Sequence, residues 1–323
     1  SVGCALADSI ETLQLCRFLQ AVGGSAGPVL GRAAVRDIYT PREAGRILAI
    51  LASLMALAPA LAPTLGGALL AQLGWPSIFL ALAAYGLLVT GLIAWGMPEP
   101  LPRAYRQPLR PGHLLRNYRT LVIDVRFLGY TLTNAAIYGG LFAFLSGSSF
   151  VLIDFLGVEP QHFGLYFACM VVGYILGNLA SARLSRQLLA DQILVRGLLV
   201  AVTGGGAMAI LAYQGVHTVW AVILPQTLFM IGAGMLLPQA LAGALANFPT
   251  MAGSASALFG FIQMAVAAGA GALVGRLHDG TPLVMASIIA ACAAIALAFH
   301  MLLVQRRPAR GFEPRRAPGQ SPL

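Results

Sequence analysis

Long apolar runs separated by short polar loops recur along the whole chain. Each run has about 20 residues or more, the length that an α-helix needs to cross a bilayer. The pattern predicts nine complete spans and the end of a tenth at residues 1–7. The nine lie near residues 12–35, 47–72, 76–97, 127–153, 163–184, 194–214, 217–245, 252–275 and 282–304.

Composition supports an all-α integral membrane protein. The 323 residues are 58% hydrophobic and only 10% charged, whereas a soluble domain carries about 25% charged residues. This composition excludes a soluble enzyme folded around a single buried core.

The positive charges are distributed on one side. All 20 basic residues are Arg, and eighteen of them lie in every second loop or in the C-terminal tail. Since basic residues accumulate in cytoplasmic loops, the C-terminus is predicted to be cytoplasmic. This topology accounts for the net charge of +9, and no nucleic-acid binding is predicted.

A Pro- and Arg-rich segment divides the chain. The predicted parts are a partial N-terminal bundle (1–97), a cytoplasmic linker (98–126), a six-helix bundle (127–304) and a cytoplasmic tail (305–323). If the two bundles are duplicates, twelve spans are expected in full length and the chain begins near the end of the third. The start at Ser1 rather than Met agrees with this expectation.

Arg17 is the first candidate for function, because a charged residue within a span is costly and usually faces a cavity. The alternative is that Arg17 extends to the outer lipid headgroups. Gln20 follows three positions later and is predicted to share its helical face.

A second candidate is the run ALAPALAPTLGG at 56–67. Pro59 and Pro63 each remove a backbone hydrogen bond and bend the helix, and Gly66 and Gly67 allow a neighbour to approach. The run predicts either a kinked helix that seals or rocks, or merely a well-packed one. Most of the 37 Gly are expected to serve close helix packing.

Polar, aromatic and Met side chains recur in the later spans. Such side chains either bridge helices or line a wet cavity, and Met suits loose binding of varied apolar molecules. The candidate cavity residues here are Asn134, Tyr138, Gln226, Met230, Gln263 and Met264. His300, deep in the last span, is expected to bond a neighbouring helix.

Motifs of soluble enzymes are not found. The sequence has no phosphate-binding GK[ST] loop, HExxH, GxSxG or CxxC, and its four Cys match no metal spacing. We therefore predict no cofactor and no metal, and energy from an ion gradient.

Several stretches resemble one family, the drug:proton antiporters of the bicyclomycin-resistance (Bcr/CflA) type within the major facilitator superfamily. RFLQ at 17–20 resembles an Arg-containing motif of the fourth span, and APALAPTLGG at 58–67 resembles the antiporter motif of the fifth. The other matching stretches are VRDIY at 35–39, FLSGSSFVLIDFLGVEPQHFGLYFA at 144–168 and FPTMAGSASALFG at 248–260.

The resemblance implies two helical bundles with alternating access, and efflux of small apolar or amphipathic molecules in exchange for protons. It links Arg17 to proton coupling, and Pro63, Gly66 and Gly67 to the antiport direction. Ala21, Ala58 and Ala62 stand where the family has Gly, and its basic loop between spans two and three is not in the chain.

The leading hypothesis is therefore a monomeric proton-coupled exporter in the bacterial inner membrane, with protons, the lipid bilayer and a small substrate as its partners. Two alternatives stay open. One is a nutrient or metabolite transporter of the same fold, and the other is an inactive, truncated remnant.

Overall fold

The computed structural model describes residues 1–39, 65–96, 111–248 and 251–305, together with the isolated residues 43, 47, 51 and 62. All regular secondary structure within them is helical. The helices are α1 Val2–Ala5, α2 Ile10–Ile38, α3 Pro76–Gly96, α4 Pro111–Ile123, α5 Val125–Ser149, α6 Pro160–Leu184, α7 Ala190–Tyr213, α8 Val219–Leu245, α9 Ala252–Leu277 and α10 Pro282–Phe299. Residues 65–73 are also helical, and α5 and α10 continue into π-helical turns, Phe150–Phe155 and His300–Gln305.

Seven of the described helices are long and apolar enough to cross a membrane. They match seven of the predicted spans, from residue 76 onwards. Helix α2 covers the predicted span 12–35 but is not among the seven, since polar residues such as Arg17 and Gln20 lower its mean hydropathy. The predicted span 47–72 lies largely outside the described residues.

Polar side chains at the loop ends cap several helices. The side chains of Ser9, Asp124, Thr218 and Thr281 each accept a hydrogen bond from a backbone N–H in the first turn of α2, α5, α8 and α10. The first-turn amides have no partner within a helix, so these caps determine where apolar segments begin.

Four of the described loops contain a glycine with positive φ. Gly74, Gly157, Gly215 and Gly280 have φ between 70° and 80°, a conformation that favours glycine. Each lies in one of the loops that alternate along the chain with the arginine-rich loops. The described loop 185–189, one of the arginine-rich loops, contains no such residue.

The chain divides into two compact units. Unit 1 comprises Ser1–Arg110 and Val158–Val171, and unit 2 comprises Pro111–Gly157 and Val172–Leu323. Helix α4, in the second half of the predicted linker, belongs to unit 2, where its Asn117 Nδ2 donates to Ser254 Oγ of α9 at 3.3 Å.

Close backbone contacts hold the helices of unit 2 together. A Cβ added to Gly204 would lie 2.7 Å from the carbonyl oxygen of Pro225, and one added to Gly197 would lie 2.9 Å from that of Gly232. Only glycine lets α7 and α8 approach so closely, the packing expected of helices in lipid. Helix α5 contacts α8, α9 and α10.

Unit 1 is more open in the part that the structure describes. Helix α1 contacts α2 and α3, and a Cβ on Gly3 would lie 2.9 Å from Cys16 Sγ. Helix α3 has no buried residue, and Trp95 near its end is 91% exposed.

Candidate functional site

Arg17 of α2 is held by neutral partners. Its Nη1 donates to Gln20 Oε1 at 2.6 Å, and Gln20 Nε2 donates to Ser1 Oγ at 2.5 Å. The guanidinium lies 5.7 Å from the ring centroid of Phe79 on α3, within the range of a cation–π interaction. Arg17 and Gln20 thus share a helical face, as their spacing predicts, and the described partners of Arg17 carry no negative charge.

Three predicted cavity residues come together in unit 2. Asn134 Nδ2 on α5 donates to Gln263 Oε1 on α9 at 2.7 Å, and the Tyr138 hydroxyl lies near the Gln263 side chain. Asn134 is buried, whereas Tyr138 and Gln263 are half-buried. The group therefore bridges two helices and leaves its Tyr and Gln accessible.

The remaining predicted cavity residues differ in burial. Gln226 is 1% exposed, and its Oε1 has no hydrogen-bond partner among the described residues. Met230 is half-buried, and Met264 is exposed. The structure does not test their predicted role.

The antiporter-motif residues are described only in part. Pro59 and Pro63 lie outside the described residues. Gly66 and Gly67 fall in the helical stretch 65–73, and no described atom lies within 4 Å of a Cβ added to either one.

A polar cluster in unit 2 was not predicted from the sequence. The Tyr130 hydroxyl donates to Asp191 Oδ1, and Arg126 Nη2 donates to the Tyr130 oxygen at 3.3 Å. Arg126 Nη2 also lies 3.5 Å from Asp191 Oδ2. Arg126 and Tyr130 are four residues apart on α5, which signals a shared face, but nothing local indicates that Asp191 of α7 joins them.

The expectation for His300 is wrong. The residue is fully buried, and both ring nitrogens lack a hydrogen-bond partner among the described residues. Its ring faces that of Tyr130, with 6.3 Å between the centroids. The neighbouring helix thus offers an aromatic ring where a hydrogen-bonding group was expected.

The acidic residues between α5 and α6 lie at the surface. Asp154 is exposed, and Glu159 pairs with His162 at 3.5 Å. Within the described ranges, no three His, Cys, Asp or Glu side chains are grouped as a metal site would require.

The fold and these sites can be compared with known proteins. The family model of the Major Facilitator Superfamily matches residues 1–272. The chain belongs to the Major Facilitator Superfamily. It is accordingly a transporter rather than an enzyme, and a multi-pass bacterial membrane protein.

Relatives within this superfamily cover nearly all of the chain. An uncharacterised MFS-type transporter of Bacillus subtilis, YdgK, is 36% identical over 311 residues, which are 95% of this chain and 76% of the relative. A bicyclomycin resistance protein homolog of Haemophilus influenzae is 29% identical over 94% of this chain and 76% of its own length. The resemblance noted from the sequence motifs is thereby confirmed.

Solved structures show the same fold. The inward-facing, unoccupied crystal structure of a bacterial homolog of the human lysosomal transporter Spinster superimposes with a TM-score of 0.71. The match covers 96% of this chain and 82% of that chain, at 17% sequence identity. The major facilitator fold predicted from the sequence is confirmed.

Proposed function

We propose that this transporter exports small apolar or amphipathic molecules across the bacterial inner membrane in exchange for protons. Its membership of the superfamily and its relative named for bicyclomycin resistance support export. Alternating access between two helical bundles is the mechanism that such a fold favours. The protein acts as a monomer, with its C-terminus in the cytoplasm.

The observation that carries the proposal is the environment of Arg17. The partners of the guanidinium, Gln20 and Phe79, are both neutral, so no described partner offsets its positive charge. Such a charge in a membrane helix interacts strongly with any nearby group that gains or loses a proton, since little water screens it. Arg17 is thus suited to couple protonation to a change between states.

The substrate is proposed to contact unit 2. Tyr138 and Gln263 offer a hydroxyl and an amide next to the bridged Asn134, and Met230 and Met264 offer adaptable apolar surface. Few polar groups converge here, which favours apolar substrates over sugars. Gln226 of unit 2 is proposed to line a transport route, as is Gln20 of unit 1, and Pro59, Pro63, Gly66 and Gly67 are proposed to form the antiporter-motif helix.

Arg17→Ala tests the coupling. In liposomes with an imposed pH gradient, we expect the variant to lose gradient-driven transport of a fluorescent lipophilic dye while still inserting into the membrane. Arg276→Ala, which removes an exposed Arg at the end of α9, is the matched control and should transport normally. Unchanged dye transport by Arg17→Ala would overturn the proposed role.

A further inference from the structure

His300 combines complete burial with unmet hydrogen-bonding capacity. Its imidazole is 0% exposed, and neither Nδ1 nor Nε2 has a partner among the described residues. A buried polar group without a hydrogen bond destabilises the fold. The turn that carries His300 packs against α5 through apolar side chains, since Leu303 and Val304 lie close to Gly129.

A residue of the polar cluster, Tyr130, lies next to His300. Tyr130 presents its ring to His300 and its hydroxyl to the Asp191 carboxylate. Burial is the larger influence on the imidazole and favours its neutral form, and the charge of Asp191 acts in the opposite direction. Tyr130 is held in this position by α8, since a Cβ on Gly243 would lie 2.7 Å from its ring. The cluster therefore places a carboxylate close to a buried base.

Water reaches this carboxylate from outside. A surface cavity of about 300 Å³ is lined by Asp191, Gln192, Val195, Arg196 and Gln305. The Asp191 side chain is 42% exposed, and Gln305 ends the same π-helical turn that begins at His300. The cavity is thus lined both by the carboxylate of the cluster and by the last residue of the turn that carries His300.

We propose that His300 is a proton-binding site of unit 2, that it exchanges its proton with water in this cavity, and that Asp191 is its counter-charge. A hydronium ion gives its proton to the unprotonated ring nitrogen, leaving water and an imidazolium with two N–H donors. No bond to carbon changes, and nothing is oxidised. The site is separate from Arg17, which lies in unit 1.

The charges around the site favour a single protonation step. Tyr130 of α5 contacts the His300 ring, and Asp191 of α7 acts on it electrostatically. Arg126 of α5 contacts both Tyr130 and Asp191. Arg126 and Asp191 cancel, so the cluster with neutral imidazole has no net charge, and protonation adds one positive charge. That charge arises where α5, α7 and α10 meet.

The experiment is nuclear magnetic resonance of the whole chain in lipid nanodiscs with ¹⁵N-labelled histidine. The chain has five His, and His300→Asn identifies the His300 signal by its loss. We expect the His300 ring shifts to change between neutral and protonated values between about pH 5 and 8, the range in which His changes charge. A His300 signal that stays neutral throughout overturns the proposal from the wild type alone.

Two variants should move the signal in opposite directions. Asp191→Asn removes the counter-charge, and we expect the ratio of protonated to neutral His300 at a given pH to fall about tenfold. Arg126→Gln removes the competing cation and should raise that ratio. Asp279→Asn, which removes an exposed loop carboxylate, is the matched control and should leave the ratio unchanged.

The outcomes show whether His300 binds a proton with Asp191 as its counter-charge. Opposite shifts with an unchanged control establish the site, and either folded variant is enough if the other does not fold. A His300 signal that is the same in Asp191→Asn and Arg126→Gln as in the wild type refutes it. Because the measurement does not involve transport, it is independent of the role proposed for Arg17.

Discussion

Glycine has different structural roles in the two units. In unit 2, a Cβ on Gly177, Gly204 or Gly232 would collide with the backbone of a neighbouring helix. In unit 1, no described atom lies within 4 Å of a Cβ on Gly86 or Gly91 of α3. The expectation that most glycines serve close packing therefore suits unit 2, and it does not extend to the described residues of α3.

Gly232→Ala tests the unit 2 side of this comparison. The added methyl group would lie 2.5 Å from the Ala201 amide nitrogen and the Gly197 carbonyl oxygen, so α7 and α8 must separate. We expect the free energy of unfolding to fall by about 3 kcal/mol, the upper end of the usual cost of overpacking. Thermal unfolding in detergent measures the change.

Gly91→Ala is the matched control in unit 1. Alanine restricts the unfolded chain and favours the helix, so stability should stay the same or rise by up to about 1 kcal/mol. Equal melting temperatures for the two variants would contradict the comparison.

Tyr130→Phe has the next largest expected effect. It keeps the ring against His300 and Gly243 but removes the hydroxyl that Asp191 and Arg126 share. A hydrogen bond to a charged group contributes about 1.5–3 kcal/mol, and partial exposure of the cluster points to the lower end, about 1.5 kcal/mol. The decrease in melting temperature measures it.

Tyr85→Phe gives the corresponding change in unit 1. Tyr85 lies on α3 and is 67% exposed, so the loss of its hydroxyl should leave the melting temperature unchanged. A comparable decrease in both variants would mean that the Tyr130 hydrogen bonds add no stability of their own.

Phe79→Leu addresses the one aromatic contact of Arg17 that the structure describes. The change removes the cation–π contact and also the edge-to-face contact of Phe79 with Trp75, and together these losses should weaken unit 1 by about 1 kcal/mol. Phe18→Leu, at a 65% exposed position on α2, should have no effect. A melting temperature that changes equally in both variants would count against the contact.

The smallest effect concerns a loop of unit 2. The Thr281 hydroxyl and amide donate to Asp279 Oδ1 at 2.8 and 2.9 Å, and these hydrogen bonds lower the pKa of the Asp279 carboxyl. Because the pKa is lower in the folded state, the carboxylate stabilises the fold at pH values above about 3.9, the ordinary pKa of aspartate. This stabilisation is lost as the pH falls through the pKa of the folded state.

Amide hydrogen exchange at the first turn of α10 checks this contribution. The wild type should be better protected than Asp279→Asn near neutral pH, and the difference should vanish at acidic pH. A difference that persists in acid would show that the carboxylate charge is not its cause.

How much could be predicted from the sequence depends on the distance between the interacting residues. The apolar runs from residue 76 onwards predict the spans, because length and hydropathy are local properties. The hydrogen bond between Arg17 and Gln20 could also be predicted, since the two residues are three positions apart on one helix. Contacts between remote helices are different: Tyr130 and Asp191 are 61 positions apart.

His300 shows most clearly why local reasoning fails. Its type and place in a span favour a hydrogen bond to another helix, but which atom faces it depends on the packing of α5 against the last turn. The position of Tyr130 there depends in turn on Gly243 of α8. None of these relations leaves a pattern along the chain.

The positive-φ glycines at 74, 157, 215 and 280 have a practical consequence for anyone who tags this protein. Each turn is short and needs a residue without a side chain, so an epitope or fluorescent protein inserted there would disturb both adjoining helices. The loop 185–189, without such a turn, can absorb an insertion. Labels are therefore best placed in the loop 185–189, while the four glycine turns should be left as they are.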